Sequence, residues 1–494
     1  MGRGDVMYLC DQLIKRYRQM PIPVRAAGWF FVCSFLQKAI SSITTPIFTR
    51  LMSPAEYGQY NVFHSWMGII TIVVSLYLCG GVYVQGLVKY EDVREEYSSA
   101  LQGLSFLLVL AWTGIYLLFR DFWNALFSLN TVQMLTMLSM IWTSTVFGFW
   151  SANERVDLKY RRLVAITVFV LLAKPLIGIY FVLHAQDKVT ARIIGTAMVQ
   201  LFAYSWMFFA QVRRGRKIFV WKYWKHALMF SLPLIPHNFS MIVLNSSDRI
   251  MISQMIGDDV AGIYSLAYSI SLIMTMFNTA LQQTLEPWRY RKQKENRQED
   301  MANMTYSTMI LIAVLNLLLI AFAPEIVRIY APNDYYDAIW VIPPISMSVF
   351  FAFMYDFFAS FEFYFEKTKY IMVATSVGAL LNIVLNYVFI PIYGYYAAGY
   401  TTLVCYIVYA VAHYLFMKNI CKEYLDNKKV YSVRILCFIS MVFMGAGFAL
   451  LFLYQHFVIR YSLILFFVGV LALRRKKALA YLKKLMRFRT ESNC

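Results

Sequence analysis

Apolar stretches of about twenty residues recur along this chain from residue 27 to residue 473, separated by short loops in which Lys and Arg collect. No other feature constrains the fold as much. A bilayer core of roughly 30 Å takes about 20 apolar residues per helix. Lipid offers the backbone no hydrogen bonds, so each run has to satisfy its own as a helix. Spans are expected near 27–49, 58–87, 98–118, 131–150, 163–183, 191–211, 226–254, 260–287, 303–323, 335–364, 371–391, 396–417, 433–454 and 459–473. The chain therefore reads as an all-α polytopic membrane protein with about 14 transmembrane helices. The runs at 58–87, 226–254, 260–287 and 335–364 are longer than a bilayer needs, which predicts tilting or kinking. With 60% hydrophobic and only 15% charged residues, the chain has too little polar surface to cover itself in water; soluble proteins average about a quarter charged.

The net charge of +19 would suggest nucleic acid in a soluble protein. Here it is explained by topology, and no nucleic-acid partner is expected. If the N-terminus is cytoplasmic, the inside segments hold 37 Lys and Arg and the outside loops hold 6, leaving Lys38, Lys174 and Arg249 within spans. That asymmetry is the positive-inside pattern and places both termini in the cytoplasm. Residues 1–25 lack a cleavage site and read as a cytoplasmic segment rather than a signal peptide. The seven cysteines show no paired spacing, so neither a disulfide framework nor a metal site is expected.

The chain also repeats. Gly58-Gln59-Tyr60 and Gly262-Ile263-Tyr264 are separated by 204 residues, and the same offset carries Gly195 onto Gly399. An even number of spans per unit keeps both copies in one orientation, which predicts two parallel six-helix repeats. The lobes fall at 26–214 and 222–418, followed by two additional helices at 431–474 and a basic cytoplasmic tail at 475–494.

A few polar residues interrupt the apolar spans. A charge at the bilayer centre costs roughly 2.5–3.5 kcal/mol on insertion scales, so each needs a partner, water or a cargo. Lys38 and Lys174 sit midway along spans 1 and 5, where snorkelling is difficult. They suit an anionic cargo in a central cavity, with Arg249, Arg50 and His64 as further members of its cationic lining. Span 7 opens with Pro233 and Pro236, which kink it, and continues to Asp248 and Arg249, either functional or an interfacial pair. Asp356 lies deep in span 10, with Glu362 and Glu366 towards the inner interface. Asn382 and Asn386 share one face of span 11. Their amides serve either as oxygen ligands for a small cation or as polar glue between helices. Asp248, Asn382, Asn386, Asp356 and Thr401 are the candidates for ion coupling or gating. No phosphate-binding loop, metal-ligand spacing or nucleophile elbow occurs, no catalytic residue is expected, and the loops are too short for an added enzymatic domain.

Three blocks resemble a known family. They are Leu51-Met52-Ser53-Pro54-Ala55-Glu56-Tyr57-Gly58-Gln59-Tyr60; Pro233-x-x-Pro236 followed by Ser247-Asp248-Arg249-Ile250, Gly257, Gly262 and Tyr264; and Asn382-x-x-x-Asn386 followed by Ile390-Pro391-Ile392-Tyr393-Gly394 and Ala397-Ala398-Gly399. Together they resemble Wzx-type polysaccharide (O-antigen) flippases of the multidrug/oligosaccharidyl-lipid/polysaccharide exporter superfamily. The resemblance implies a multi-pass protein of the bacterial cytoplasmic membrane. It implies two six-helix lobes around a central cavity that alternate access. The implied cargo is a polyprenyl-diphosphate-linked oligosaccharide moved from the inner to the outer leaflet, with membrane lipid around the tail and a polysaccharide polymerase and assembly proteins as partners. Related lipid II flippases imply a sodium ion among spans 7, 11 and 12. That pattern falls on Asn382 and Asn386, with Thr401 or Thr402 on span 12, although this chain has amides where relatives often carry an acid. No cofactor is implied beyond Na+ or H+ as the coupling ion. The alternatives are a multidrug/cation antiporter of the same superfamily and a membrane polysaccharide polymerase.

Overall fold

The computed structural model describes residues 20–297 and 299–473, and every regular element among them is helical. In chain order the helices are α1 (Ile22–Leu51), α2 (Pro54–Ser75), α3 (Gly81–Lys89), α4 (Arg94–Leu118), α5 (Arg120–Phe127), α6 (Thr131–Val156), α7 (Tyr160–His184), α8 (Lys188–Gly215), α9 (Trp221–Ser231) and α10 (Ile235–Met255). They continue as α11 (Asp258–Ser271), α12 (Ile273–Lys294), α13 (Glu299–Ala321), α14 (Ala323–Tyr330), α15 (Ile342–Tyr364), α16 (Thr368–Tyr393), α17 (Tyr396–Tyr424), α18 (Val433–Phe452) and α19 (Phe457–Leu473).

Among the described residues, 11 helical stretches are long and apolar enough to cross a membrane. The expected spans over 27–49, 58–87 and 459–473 are not among them. α1 is 30 residues long, but Arg25, Gln37, Lys38 and the hydroxyl-rich Ser41–Thr45 interrupt its apolar run. The 58–87 run is two helices: α2 ends where Leu76 and Tyr77 take positive φ of 49° and 54°, and α3 starts beyond that turn. Bulky residues rarely adopt this conformation, so the break is a specific local structure. α19 has 17 described residues, short of a bilayer core at about 1.5 Å per residue.

The other overlong runs are also broken. Pro233 and Pro236 remove two backbone donors, and α9 passes through a 3-10 turn at Leu232–Leu234 into α10. α11 and α12 join at Leu272. A 3-10 segment at Asn333–Trp340 precedes α15.

Packing divides the chain into two units. The first runs to Thr44 and resumes at Trp66–Ile235; the second is Thr45–Ser65 with the chain from Pro236 onwards. In the first unit Tyr83, Tyr97, Phe149, Tyr223 and Trp224 form one buried cluster, and Trp150, Tyr204, Met207 and Phe208 part of another. The second unit is built on α15, whose Phe350, Phe353, Phe357, Phe358 and Phe361 are at most 1% exposed. Its closest neighbour is α17.

The Thr45–Ser65 segment is tied into the second unit by specific bonds. Thr49 Oγ1 donates to the Tyr330 carbonyl (2.6 Å) and Arg50 Nη2 to the Ile329 carbonyl (2.8 Å). They satisfy carbonyls that the end of α14 leaves without helical partners. A capping box starts α2: Ser53 N–H donates to Glu56 Oε2 at 2.7 Å, and Glu56 N–H to Ser53 Oγ at 3.3 Å. α2 then crosses α11 at the two glycines that mark the 204-residue offset. A Cβ on Gly58 would lie 1.9 Å from the Asp258 carbonyl oxygen, and one on Gly262 would lie 2.0 Å from that of Pro54. The contact is reciprocal, since Pro54 and Asp258 are themselves 204 residues apart.

Candidate functional site

Within the second unit, α10, α11, α16 and α17 converge on Asp248. This side chain is 2% exposed, and both its oxygens are engaged. Oδ1 accepts from Asn386 Nδ2 at 2.6 Å, and Oδ2 accepts from Tyr264 Oη at 2.6 Å and Thr402 Oγ1 at 2.8 Å. The amides extend the network. Asn386 Oδ1 accepts from Thr401 Oγ1, and Asn382 Oδ1 accepts from Ser247 Oγ at 2.8 Å and from Asn386 Nδ2 at 3.3 Å. Asn382 and Asn386 lie one turn apart on one face of α16, whereas Ser247 and Asp248 are adjacent on α10, and Thr401 and Thr402 on α17. Four of the five expected coupling residues, Asp248, Asn382, Asn386 and Thr401, thus form one hydrogen-bonded cluster. Nothing in the sequence marked Tyr264 as a ligand of Asp248, beyond its place in the repeated Gly-x-Tyr.

The fifth, Asp356, lies elsewhere in the unit. Its Oδ2 accepts from Gln282 Nε2 at 3.1 Å, and Gln282 Oε1 accepts from Arg289 Nη2 at 2.8 Å. Arg289 is buried and stands over the Phe357 ring at 4.9 Å.

The expected cationic residues have different surroundings. Arg249 is half-buried, 4.4 Å from the centre of the Tyr268 ring, and donates to the Asn245 carbonyl at 3.2 Å. Arg50 caps α14, as described. His64 is half-buried, with its ring 4.6 Å from that of Tyr60. Lys174, half-buried in α7 of the first unit, has no hydrogen bond or ion pair among the described residues. Lys38 falls within α1, and its side chain lies outside the described residues.

Glu362, near the end of α15, is covered by protein rather than open to water. It is 0% exposed and pairs with His413 of α17, also 0% exposed, at 2.7 Å. Sequence reasoning misses this pair because only the packing of α15 on α17 brings the two residues together.

The polysaccharide biosynthesis protein family matches residues 24–291, more than half of the chain. The chain belongs to that family. The MatE family also matches, over residues 233–388. An uncharacterized membrane protein of Haemophilus influenzae is 17% identical over 371 residues, 72% of this chain and 88% of that protein. Among solved structures, the inward closed conformation of the lipid II flippase MurJ is similar with a TM-score of 0.70 at 12% identity, over 91% of this chain and 99% of that one. An inward-facing multidrug resistance transporter of the MATE family is similar with a TM-score of 0.59 at 12% identity, over 78% and 95% respectively. Membership puts the chain in the multidrug/oligosaccharidyl-lipid/polysaccharide exporter superfamily, among transporters and not enzymes.

The family resemblance implies a cation at spans 7, 11 and 12, and the residues present can be tested against it. No group of three or more His, Cys, Asp or Glu side chains is placed to hold a metal among the described residues. The Asp248 cluster instead offers one carboxylate and the oxygens of two amides and four hydroxyls. Hard cations take oxygen ligands, and one carboxylate balances one positive charge. The set fits a monovalent cation once the Asn386 amide turns its oxygen, in place of its NH2, towards Asp248.

Proposed function

We propose that this transporter moves a polyprenyl-diphosphate-linked oligosaccharide from the inner to the outer leaflet of the bacterial cytoplasmic membrane, by alternating access, to supply surface polysaccharide. Family membership supports the polysaccharide class, and the likeness to a lipid II flippase supports a lipid-linked cargo. The observation that carries the cargo's charge is Lys174, an ammonium within an apolar helix and without a counter-charge among the described residues. An isolated cation in a membrane is costly, and a diphosphate is an anion that would repay it when bound. The polyprenyl tail stays in lipid, and a polysaccharide polymerase takes up the product outside. Asp248, Asn382, Asn386 and Thr401 bind the coupling ion, Na+ or H+, within the second unit.

The test is Lys174→Ala in a strain whose surface polysaccharide depends on this gene. Polysaccharide should fall by about ten-fold or more, the loss expected when an interaction of about 1.4 kcal/mol is removed, with protein level unchanged. Unaltered polysaccharide would remove Lys174 from the cargo site.

The MatE match and the multidrug transporter fold support a second reading, export of cationic drugs. Lys174 disfavours it by charge repulsion. Raised drug tolerance of a sensitised host expressing the chain, with no effect on polysaccharide, would favour it.

A further inference from the structure

We propose that Glu362 and His413 form a proton-binding site that loads and unloads one proton in each transport cycle. This rests on the reading of the chain as an ion-coupled transporter, and it assigns the proton to a place apart from the Asp248 cluster.

Both side chains are fully buried, and among the described residues their hydrogen bonds and ion pairs are only with each other. Oε1 of Glu362 and Nδ1 of His413 lie 2.7 Å apart. The atoms on the far side, Oε2 of Glu362 and Nε2 of His413, have no hydrogen-bond partner among the described residues. A pair serving only to glue α15 to α17 would be expected to fill these valences, because unsatisfied buried polar atoms are costly and rare. Two open acceptors beside a bonded one are what an unloaded proton site presents. In that state Nδ1–H donates to the carboxylate, Nε2 is bare, and the pair carries one negative charge. Loading adds one proton from water to Nε2. The imidazolium then faces the carboxylate with its Nδ1–H bond intact, and the pair is neutral. Unloading returns that proton to water.

The rings around the pair hold the imidazole in place. Tyr355 stacks on it at 5.2 Å, and Tyr409 meets it edge-on at 4.4 Å. The charged neighbours are few. On α15 itself Asp356 is bonded to Gln282, and on α12 Arg289 is bonded to the same Gln282, with Glu286 one turn before it. α13 carries only Glu299 and Asp300 at its start, α16 only Lys369 in its first turn, and α18 only Arg434. The charges on α11 are Asp258 and Asp259, at its first turn. On α17 Lys418, Lys422 and Glu423 lie beyond His413, and Tyr409 is bonded to Thr375 of α16 at 3.1 Å.

α17 also links the pair to the Asp248 cluster. Thr402, Tyr406, Tyr409 and His413 follow at spacings of four, three and four residues, which is one helix face. Thr402 donates to Asp248, and Tyr406 donates to Asn245 at 3.4 Å. The two acidic sites are therefore about 16 Å apart along one helix, at 1.5 Å per residue. A shift or rotation of α17 alters both.

The test is 15N NMR of the full chain, labelled at its six histidines, in phosphatidylethanolamine/phosphatidylglycerol vesicles, titrated between about pH 5 and 9, the range in which histidine switches. One histidine should pass from neutral to doubly protonated, and its signal should be missing in His413→Gln. In Glu362→Gln its midpoint should fall by about one pH unit or more, a ten-fold loss of proton affinity. A His413 signal fixed in one state, or a midpoint unmoved by Glu362→Gln, overturns the proposal. If Glu362→Gln does not fold, Glu362→Asp replaces it; the lengthened contact should lower the midpoint, and an unchanged one counts against the site. In cells, Glu362→Gln should cut surface polysaccharide ten-fold or more at equal protein level, and unchanged polysaccharide overturns the coupling role. Should deletion of the whole gene leave polysaccharide intact, the cargo reading fails and the NMR titration alone decides.

Discussion

The two units treat charge inside their apolar helices in opposite ways. In the first, Lys174 has no hydrogen bond or ion pair among the described residues, and several of the unit's polar bonds join neutral groups. Tyr83 Oη donates to Ser98 Oγ at 2.8 Å, Asn153 Nδ2 donates to Tyr83 Oη at 2.5 Å, and Gln102 Nε2 donates to Gln211 Oε1 at 2.6 Å. The second holds Asp248, Asp356 and Glu362, each with a bonded partner. Lipid penalises both signs of charge, so the difference is one of task. A lone cation fits a site that an anionic cargo completes, whereas acids held in hydrogen-bonded clusters fit sites that small cations enter and leave. Substitutions at two places in the second unit probe the contrast, and one in the first sets its lower bound.

The largest effect is expected at Asp248. Asp248→Asn keeps the shape but puts an NH2 among donors from Asn386, Tyr264 and Thr402. A hydrogen bond to a charged group contributes about 1.5–3 kcal/mol, so transport should drop by roughly ten- to a hundred-fold. Surface polysaccharide measured at matched protein level is the readout. If it persists while Lys174→Ala abolishes it, the acids of the second unit are structural and the contrast between the units loses its functional meaning.

A smaller effect is expected at the crossing of α2 and α11. Gly58→Ala sets a methyl 1.9 Å from a backbone oxygen, and Gly262→Ala sets one 2.0 Å from another. Alanine favours a helix by up to about 1 kcal/mol over glycine, but neither backbone can yield cheaply, and overpacking costs typically 1–3 kcal/mol. Each variant should lower the thermal midpoint of the detergent-solubilised protein. The double variant should lose less than the sum, because the first methyl already parts the helices that the second would part. Additive losses would mean that the two glycines do not share one contact, and would detach Thr45–Ser65 from the second unit.

Those glycines also show what the sequence reveals and what it hides. Their common offset is visible in the chain; their mutual contact is not, since nothing in the segment from Thr45 to Ser65 says which unit it joins. The overlong runs announced their breaks, because length and the two prolines are local facts. In the 58–87 run length announced a break but not its place, the positive-φ turn at Leu76 and Tyr77. Asp248, Asn382, Asn386 and Thr401 were legible because polar residues stand out in apolar helices. Tyr264 was not, as one tyrosine among 36, and its role depends on which helix faces α10. The pairing of Glu362 was hidden as well; burial two residues from the end of α15 is decided by the packing of α17, a long-range fact.

The smallest effect is expected on the polar side of the first unit, at Lys217 in the loop between α8 and α9. Its ammonium donates to Glu96 Oε2 at 2.9 Å, and that hydrogen bond, with the carboxylate's charge, raises the lysine pKa above 10.5. A group whose pKa is raised by folding stabilises the folded state while protonated in both states, so the contribution is complete below the ordinary lysine value. It fades as pH rises past 10.5 and through the raised folded value. The side chain is 62% exposed, so water and salt screen most of the attraction. Lys217→Ala should therefore lower the thermal midpoint only slightly at neutral pH and low salt, and the gap to the parent should close at high salt and above the lysine range. A drop as large as that of Gly58→Ala, or one that widens in alkali, would show that charge on the surface of the first unit holds it together, and the contrast drawn from its apolar helices would then have to include the loops.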